Sequence, residues 1–322
     1  MSQPTYSVIV PVYNRPQEVA ELLESLTQQT IQDFEVVLVE DGSTVTSEKV
    51  FEQYSNKLSI QYFFKPNTGP GPSRNFGFEK GRGKYFVVFD SDCILPPHYF
   101  EAVGKFLKAE PVDAWGGPDR GMKNFTPLQQ AMAFTMSAML TTGGIRGGKK
   151  KAFQPRSFNM GISREVFEKT NGFHFDRFAE DIELSIRIRK SGFKTALMAD
   201  AFVYHKRRTS LRQFFKQVYN FGKGRILVGC KHPGEIKITH WFPFLFLFGL
   251  VMIFPLLLVF PFFGKALFFT YIIYTISIFV SCLMETRSLL VSCLSIPSLF
   301  VQMIGYGWGF ISTYVRSVHG LK

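Results

Sequence analysis

At 322 residues the chain has room for one domain of about 200 to 250 residues plus further elements, and its 46% apolar content excludes a disordered chain. The net charge of +12 is unevenly spread: residues 1–140 carry 12 Lys and Arg against 16 Asp and Glu, 141–240 carry 21 against 8, and 241–322 carry 4 against 1. Four cysteines, Cys93, Cys230, Cys282 and Cys293, form no C-x-x-C pair, which argues against a zinc site or disulfide framework and reads them as apolar fillers.

The opening MSQPTYSVIVPVYN has no basic stretch followed by a separate apolar one, so no signal peptide is expected there. SVIVPVY reads as a strand, and Pro16 opens an amphipathic helix with Val19, Leu22, Leu23 and Leu26 on one face. FEVVLVE is a second strand, closed by the turn signal DGST. A polar helix over 48–54, the strand SIQYFF, the loop NTGPGPS, a short helix over 74–80 and the strand YFVVFD follow. Alternation of strand and helix predicts a mostly parallel, doubly wound α/β sheet with sites at the strands' carboxyl ends. The last strand runs into DSD, and alternation along an extended chain puts Asp90 and Asp92 on the same side. Two such carboxylates repel unless a cation or a set of donors answers them.

Residues 112–178 are less regular. TTGGIRGGKKKAFQPRS holds four glycines and five basic residues in 17 positions, a loop beside an anionic ligand or the membrane surface, or a plain solvated loop. EDIELSIRIRKSGF starts a helix with Glu180 and Asp181, short strands fall within 194–204, and SLRQFFKQVYNFGKGRILVGC is a basic, aromatic helix suited to a membrane interface. Residues 241–264, 266–284 and 288–315 contain no charge, lengths that suit bilayer-spanning helices. Spans are expected at roughly 241–263, 266–284 and 290–315. Pro297 is a possible division of the third, and Arg316, His319 and Lys322 leave the parity of crossings open. The division expected is a domain over 1–230, ending in the interfacial helix, and a membrane region over 239–322. Basic residues ahead of the first span place the first domain on the cytoplasmic face of a multi-pass plasma (inner) membrane protein.

SVIVPVYNRP, VEDGST, the N-x-G-x-x-x-x-R-N spacing of NTGPGPSRN, the D-x-D of DSD, NMGISREVF followed by NGF, and EDIELSIRIRKSGF occur in one order over about residues 5–225. In these marks the sequence resembles the family 2 glycosyltransferases with a GT-A fold, a Rossmann-like nucleotide-diphospho-sugar transferase domain. The resemblance implies metal-dependent, inverting transfer of a hexosyl-type sugar from a nucleotide-diphosphate sugar, a UDP-sugar by the uracil-like contact. It implies Asp92 as ligand of Mg2+ or Mn2+, and Asp90 on the ribose or assisting the metal. His205 then completes the metal shell or touches the diphosphate, a contact open also to Arg207 or Arg208. Pro11 and Tyr13 would line the nucleobase, with Asn14 beside them, and Asp41 would accept from its edge, although Glu40 stands where aspartate is more usual. Arg74 would reach the nucleotide or the acidic cluster. Asp181 is the implied general base and Glu180 an orienting or acceptor-binding acid. Structural roles are open for several: Asn14 as a helix cap, Asp41 as a turn former, the acidic pair as charge at a helix start, His205 as a surface residue.

Neither Gln213 nor Gln217 begins the Q-x-x-R-W of the processive synthases, which favours single-sugar addition. The expected acceptor is lipid-linked or a glycan, in cell-surface polysaccharide or glycolipid synthesis. The basic block is expected to meet membrane lipids rather than nucleic acid. The alternative is an inactive, membrane-anchored nucleotide- or partner-binding protein of the same fold; a transporter is disfavoured, because the spans offer few polar groups.

Overall fold

The computed structural model of the chain describes residues 3–120, 125–142, 153–206 and 208–319. Most of the glycine- and lysine-rich loop, together with Arg207 and Lys322, lies outside them. By packing, the chain forms two compact units, one of 1–122 with 148–206 and the other of 123–147 with 207–322.

The first unit begins β1 (Tyr6–Val12), α1 (Pro16–Thr27), β2 (Phe34–Asp41), α2 (Glu48–Tyr54), β3 (Ile60–Lys65), α3 (Pro70–Lys80) and β4 (Tyr85–Phe89). The predicted face of α1 is fully buried. α3 starts four residues earlier than expected, because Pro70 fits the first helical turn and Gly69, at φ +105°, supplies the bend before it. β5 (Cys93–Ile94), α4 (Tyr99–Ala109), β6 (Ala114–Gly116) and β7 (Asp119–Arg120) follow. α5 (Pro127–Ser137) and α6 (Met139–Thr142) belong to the second unit, and the chain then returns for β8 (Asn159–Ser163), α7 (Arg164–Thr170), α8 (Glu180–Lys190), β9 (Thr195–Leu197) and β10 (Val203–His205).

Among the described residues the main sheet has seven strands in the order β3-β2-β1-β4-β8-β6-β9. β3, β2, β1 and β4 are parallel, as expected, whereas β8 runs antiparallel between β4 and β6. Alternation along β1 sends Val8, Val10 and Val12 into one apolar layer, with α1 and α4, and Ile9 into the other, with Phe78 and Leu184. A second sheet of three short strands, β5-β10-β7, gathers the ends of three distant segments.

The second unit continues with α9 (Leu211–Lys231), a 3-10 turn at Ile238–Trp241, α10 (Phe242–Val259), α11 (Pro261–Thr286) and α12 (Leu289–Val318). Among the described residues three helices are long and apolar enough to cross a membrane: Ile238–Val259, Pro261–Thr286 and Leu289–Val318. α12 passes through Pro297 without interruption, so the anticipated division does not occur. The Ser298 hydroxyl donates to the Leu294 carbonyl at 2.8 Å in that turn, one way such helices satisfy a backbone disturbed by proline. α9 does not stand alone: Phe214, Val218, Gly222 and Ile226 form a buried stripe, and α9 packs along α12. A Cβ on Gly222 would come within 2.2 Å of the Tyr306 carbonyl, and one on Gly309 within 2.1 Å of the Tyr219 carbonyl, so the two backbones approach as only glycine permits. α5 joins the same unit through Ala131 and Phe134, which pack with Phe246, Ile278 and Leu299.

Candidate active site

β2, β1 and β4 are neighbours and parallel, so their carboxyl ends, bearing EDGST, PVYN and DSD, open on one edge of the sheet. The reversal of β8 brings its amino end to that same edge, with Asn159 opposite Phe89. Tyr99 Oη donates to Asn159 Oδ1 at 2.6 Å and Asn159 Nδ2 donates to the Ala201 carbonyl at 2.8 Å, which fixes this end of β8.

β4 stops at Phe89, so Asp90 and Asp92 lie in a turn closed by the Cys93 N–H on the Asp90 carbonyl at 3.1 Å. They are not two members of one strand face, and they have different partners. Asp90 accepts from Arg74 Nη2 at 2.8 Å, and Arg74 Nη1 donates to Glu180 Oε1 at 2.8 Å. One buried guanidinium, 3% exposed and lying over the Phe173 ring, thus joins the DSD turn to the acidic pair that opens α8. Arg74 thus reaches the acidic cluster through both Nη atoms, while its buried Nε–H has no partner among the described residues.

Asp92 is buried, with Oδ2 taking Arg15 Nη1 at 2.5 Å and Oδ1 meeting His205 Nε2 at 3.0 Å. Burial by itself would raise this carboxyl; the hydrogen bond and charge of His205, with Arg15, outweigh it and hold the group well below the ordinary range. For His205, burial works against the charged form, but Asp92, Asp90 and Asp119 raise its pKa. The His205 ring stacks on Phe158 at 5.4 Å between centroids, so it is a built-in member of the site and not a surface residue.

Asp92, Cys93 and His205 offer ligand atoms within 4.8 Å of one another. Burial and the neighbouring carboxylates push the Cys93 thiol well up, which keeps it protonated and unsuited to a hard ion. A carboxylate and an imidazole, with Asp90 next to them, fit a divalent cation, and the imidazole suits Mn2+ better than Mg2+. The Arg15 guanidinium and the His205 imidazole both lie on Asp92, so each of its oxygens is met by a nitrogen. Cys93 and Cys282 are buried as fillers should be, whereas Cys230 and Cys293 are exposed.

Glu180 and Asp181 begin α8 after Ala179, a non-glycine residue at φ 55°. Such a conformation is uncommon and tends to mark functional turns. Burial raises the Glu180 carboxyl to about 7, against the opposing charge of Arg74 and with the help of Asp181. Asp181 Oδ1 accepts its own helix's Ile182 N–H at 2.8 Å, and Oδ2 lies 3.4 Å from Arg156 Nη1. Sequence reasoning missed Arg156, whose only signal was its place within the basic loop segment.

At the β1 and β2 ends the roles divide. Tyr13 is 52% exposed and Pro11 partly so, an open apolar ledge. Asn14, at φ 55°, does not cap α1; its side-chain oxygen accepts from the Thr44 and Val45 N–H groups, both at 2.9 Å, and so stitches PVYN to the EDGST turn. Asp41 accepts from Lys65 Nζ at 2.5 Å and from the Thr68 and Gly69 N–H groups, both at 2.9 Å, and it is buried. Burial would raise Asp41, but these donors together hold it below its usual range. Asp41 therefore shapes the 66–69 turn, with two donors on Oδ1 and one on Oδ2. Glu40 likewise serves the turn, taking the Ser47 N–H at 2.9 Å and the Ser43 hydroxyl.

An uncharacterized glycosyltransferase of Rickettsia bellii (strain RML369-C) is 39% identical over 102 residues, 32% of this chain and 15% of that protein. The uncharacterized glycosyltransferase EpsJ of Bacillus subtilis (strain 168) is 25% identical over 221 residues, 65% of this chain and 63% of that one. The chain thus spans less than two thirds of the length of these curated relatives. Among solved structures, the mannosyltransferase PcManGT from Pyrobaculum calidifontis in complex with GDP-Man and Mn2+ matches with a TM-score of 0.61 at 16% identity, over 100% of this chain and 89% of that one. S. aureus TarS 1-349 in complex with UDP-GlcNAc matches with a TM-score of 0.50 at 18% identity, over 97% and 92%. At these identities the likeness is one of fold, and the fold is GT-A. The sequence profile of Glycosyl transferase family 2 matches residues 7–170, half of the chain, from the second residue of β1 to the end of α7, and the protein is a member of that family.

Proposed function

We propose that this protein is a membrane-anchored, inverting glycosyltransferase that moves a hexosyl-type sugar from a nucleotide-diphosphate sugar to a lipid-linked or glycan acceptor. The observation that carries this reading is the Arg74 bridge, which brings Asp90 of the DSD turn and Glu180 of the acidic pair to one guanidinium at the open edge of the sheet. The nucleotide would lie over Tyr13 and Pro11, across the β1 and β2 ends. Asp92 and His205, with Asp90, would hold Mn2+ or Mg2+, and that ion supplies charge neutralisation to the departing diphosphate. Asp181 then takes the proton of the attacking acceptor oxygen, while Arg74 keeps Glu180 in place beside it. The small β5-β10-β7 sheet holds His205 against Asp92, which supports a reading in which the two meet the donor phosphates without rearrangement.

Three apolar helices in a chain whose basic residues precede the first of them support anchorage, with the catalytic unit on the cytoplasmic face of the plasma membrane. The test is a panel of UDP-, GDP- and dTDP-sugars offered to the purified full chain, with release of nucleoside diphosphate measured in Mn2+ and in EDTA. Turnover of one donor, lost in EDTA, is expected. Full turnover in EDTA removes the metal role, and binding without turnover of any donor would leave a nucleotide-binding protein of the same fold.

A further inference from the structure

Two arginines meet the acidic pair, and they differ. Arg74 is 3% exposed, and each of its Nη atoms donates to a carboxylate, one to Asp90 and the other to Glu180. Arg156 has a side chain 34% exposed and a single ion-pair partner among the described residues, Asp181, at 3.4 Å. The remaining N–H groups of its fork have no partner among the described residues, and the exposure of the side chain lets a ligand reach them. Its backbone is held firmly all the same. The Ser185 hydroxyl donates to the Pro155 carbonyl at 2.8 Å, and the Asn159 N–H donates to the Arg156 carbonyl at 3.0 Å, which ties the residue to both α8 and β8.

We propose that Arg156 and Asp181 together form the acceptor hydroxyl site. This rests on the transferase reading above. A neutral hydroxyl needs an acceptor for its proton and tolerates a donor on its oxygen, and a carboxylate beside a guanidinium with open N–H groups offers both. Arg156 binds the hydroxyl oxygen and Asp181 Oδ2 takes its hydrogen. In the reaction that oxygen forms its bond to the anomeric carbon while the bond from that carbon to the donor's phosphate oxygen breaks. The electron pair leaves with the diphosphate, and the proton passes to Asp181. The acceptor class that fits is a sugar or polyol hydroxyl. A lipid phosphate monoester fits less well: it is already anionic, needs no base, and would face Asp181, Glu180 and Asp90 with only two guanidinium groups to balance them.

The test uses the full chain in detergent with Mn2+ and the donor selected by the panel, with octyl β-D-glucoside and farnesyl phosphate as acceptor probes. Octyl glucoside is the expected acceptor. Arg156→Ala should raise its KM and lower kcat by at least ~10-fold together, the order expected for one hydrogen bond to a charged group, while donor KM stays at the wild-type value. Arg156→Lys should recover part of the loss, and matching thermal melts would show that neither variant is misfolded. Where the wild type uses only water, the same split in donor hydrolysis is the supporting result. Preference for farnesyl phosphate, wild-type kinetics in Arg156→Ala, or an equal change in donor KM would each overturn the assignment. A wild type that binds no sugar nucleotide removes the transferase reading itself, and this inference with it.

Discussion

In the first unit charge is buried and answered: Arg74, Asp92, Glu35 and Glu180 are all under 10% exposed, and each has an ionic partner. In the second unit the long helices carry almost no charge, their backbones satisfy themselves, and close contact is made by glycine against carbonyl along α9 and α12. The first arrangement is directional and fails when one partner is removed, since the other is left buried and unpaired. The second is steric and fails when bulk is added. An isosteric amide keeps the shape and a hydrogen-bonding atom in place, so in the first unit it should damage function more than fold, whereas enlargements should damage packing in the second with no change of charge.

The largest effect is expected at Asp92. Asp92→Asn should remove nearly all transfer and weaken Mn2+-dependent nucleotide binding, read by titration of a fluorescent nucleotide, with the thermal melt close to wild type. Unchanged Mn2+ dependence would break the charge half of the comparison. Asp181→Asn comes next, with turnover down by at least the ~10²-fold typical of losing a general base and donor affinity retained. If donor affinity falls in parallel, Asp181 belongs to the nucleotide site.

Gly222→Val tests the steric half. Its added carbons would meet the Tyr306 carbonyl and the Phe310 N–H, so a loss of about 1–3 kcal/mol is expected in denaturant titrations in detergent. An unchanged midpoint would mean that α9 and α12 do not pack as closely as described. The smallest effect is a pH slope. Because Glu180 is raised to about 7 from 4.5, its contribution to stability is fully present below about 4.5 and is lost as pH rises through about 7. Melting temperatures of Glu180→Gln relative to wild type should therefore improve between pH 5 and pH 8; parallel pH curves would show that Arg74 keeps Glu180 ionised throughout.

Much of the first unit was legible because its signals are local. Pro16 with the Val19-to-Leu26 face gave α1, and the alternation of apolar strands with helices gave the parallel half of the sheet. The reversal of β8 was not legible, since a short strand such as NMGIS carries no mark of its direction, which is set by its neighbours in three dimensions. The candidate site was legible as residue types. The partners of each residue were not, because Arg15 with Asp92 and Arg74 with Glu180 are 77 and 106 positions apart. Asp41 shows this: its place in the EDGST turn was legible, but three of its donors come from Lys65, Thr68 and Gly69, and nothing near Asp41 in sequence announces them. In the second unit composition gave the three spans. It could not give the pairing of α9 with α12, which depends on single glycines meeting particular carbonyls.

The path of the chain between the units bears on how the protein can be cut. Residues 123–147 leave the first unit, pack with the second, and the chain then returns, so the polypeptide changes unit near 122, near 147 and again near 206. No single scission separates the two. A truncation ending near Lys237 would keep α5 and remove α10, α11 and α12, leaving Ala131 and Phe134 without Phe246, Ile278 and Leu299. Such a fragment would carry a fresh apolar surface and tend to aggregate, whatever the stability of its catalytic sheet. A soluble catalytic fragment requires two edits, removal of the tail after about 206 and replacement of 123–147 by a short polar linker. The same threading means that the chain up to the end of α6 and the chain from β8 onward each own strands or helices in both units.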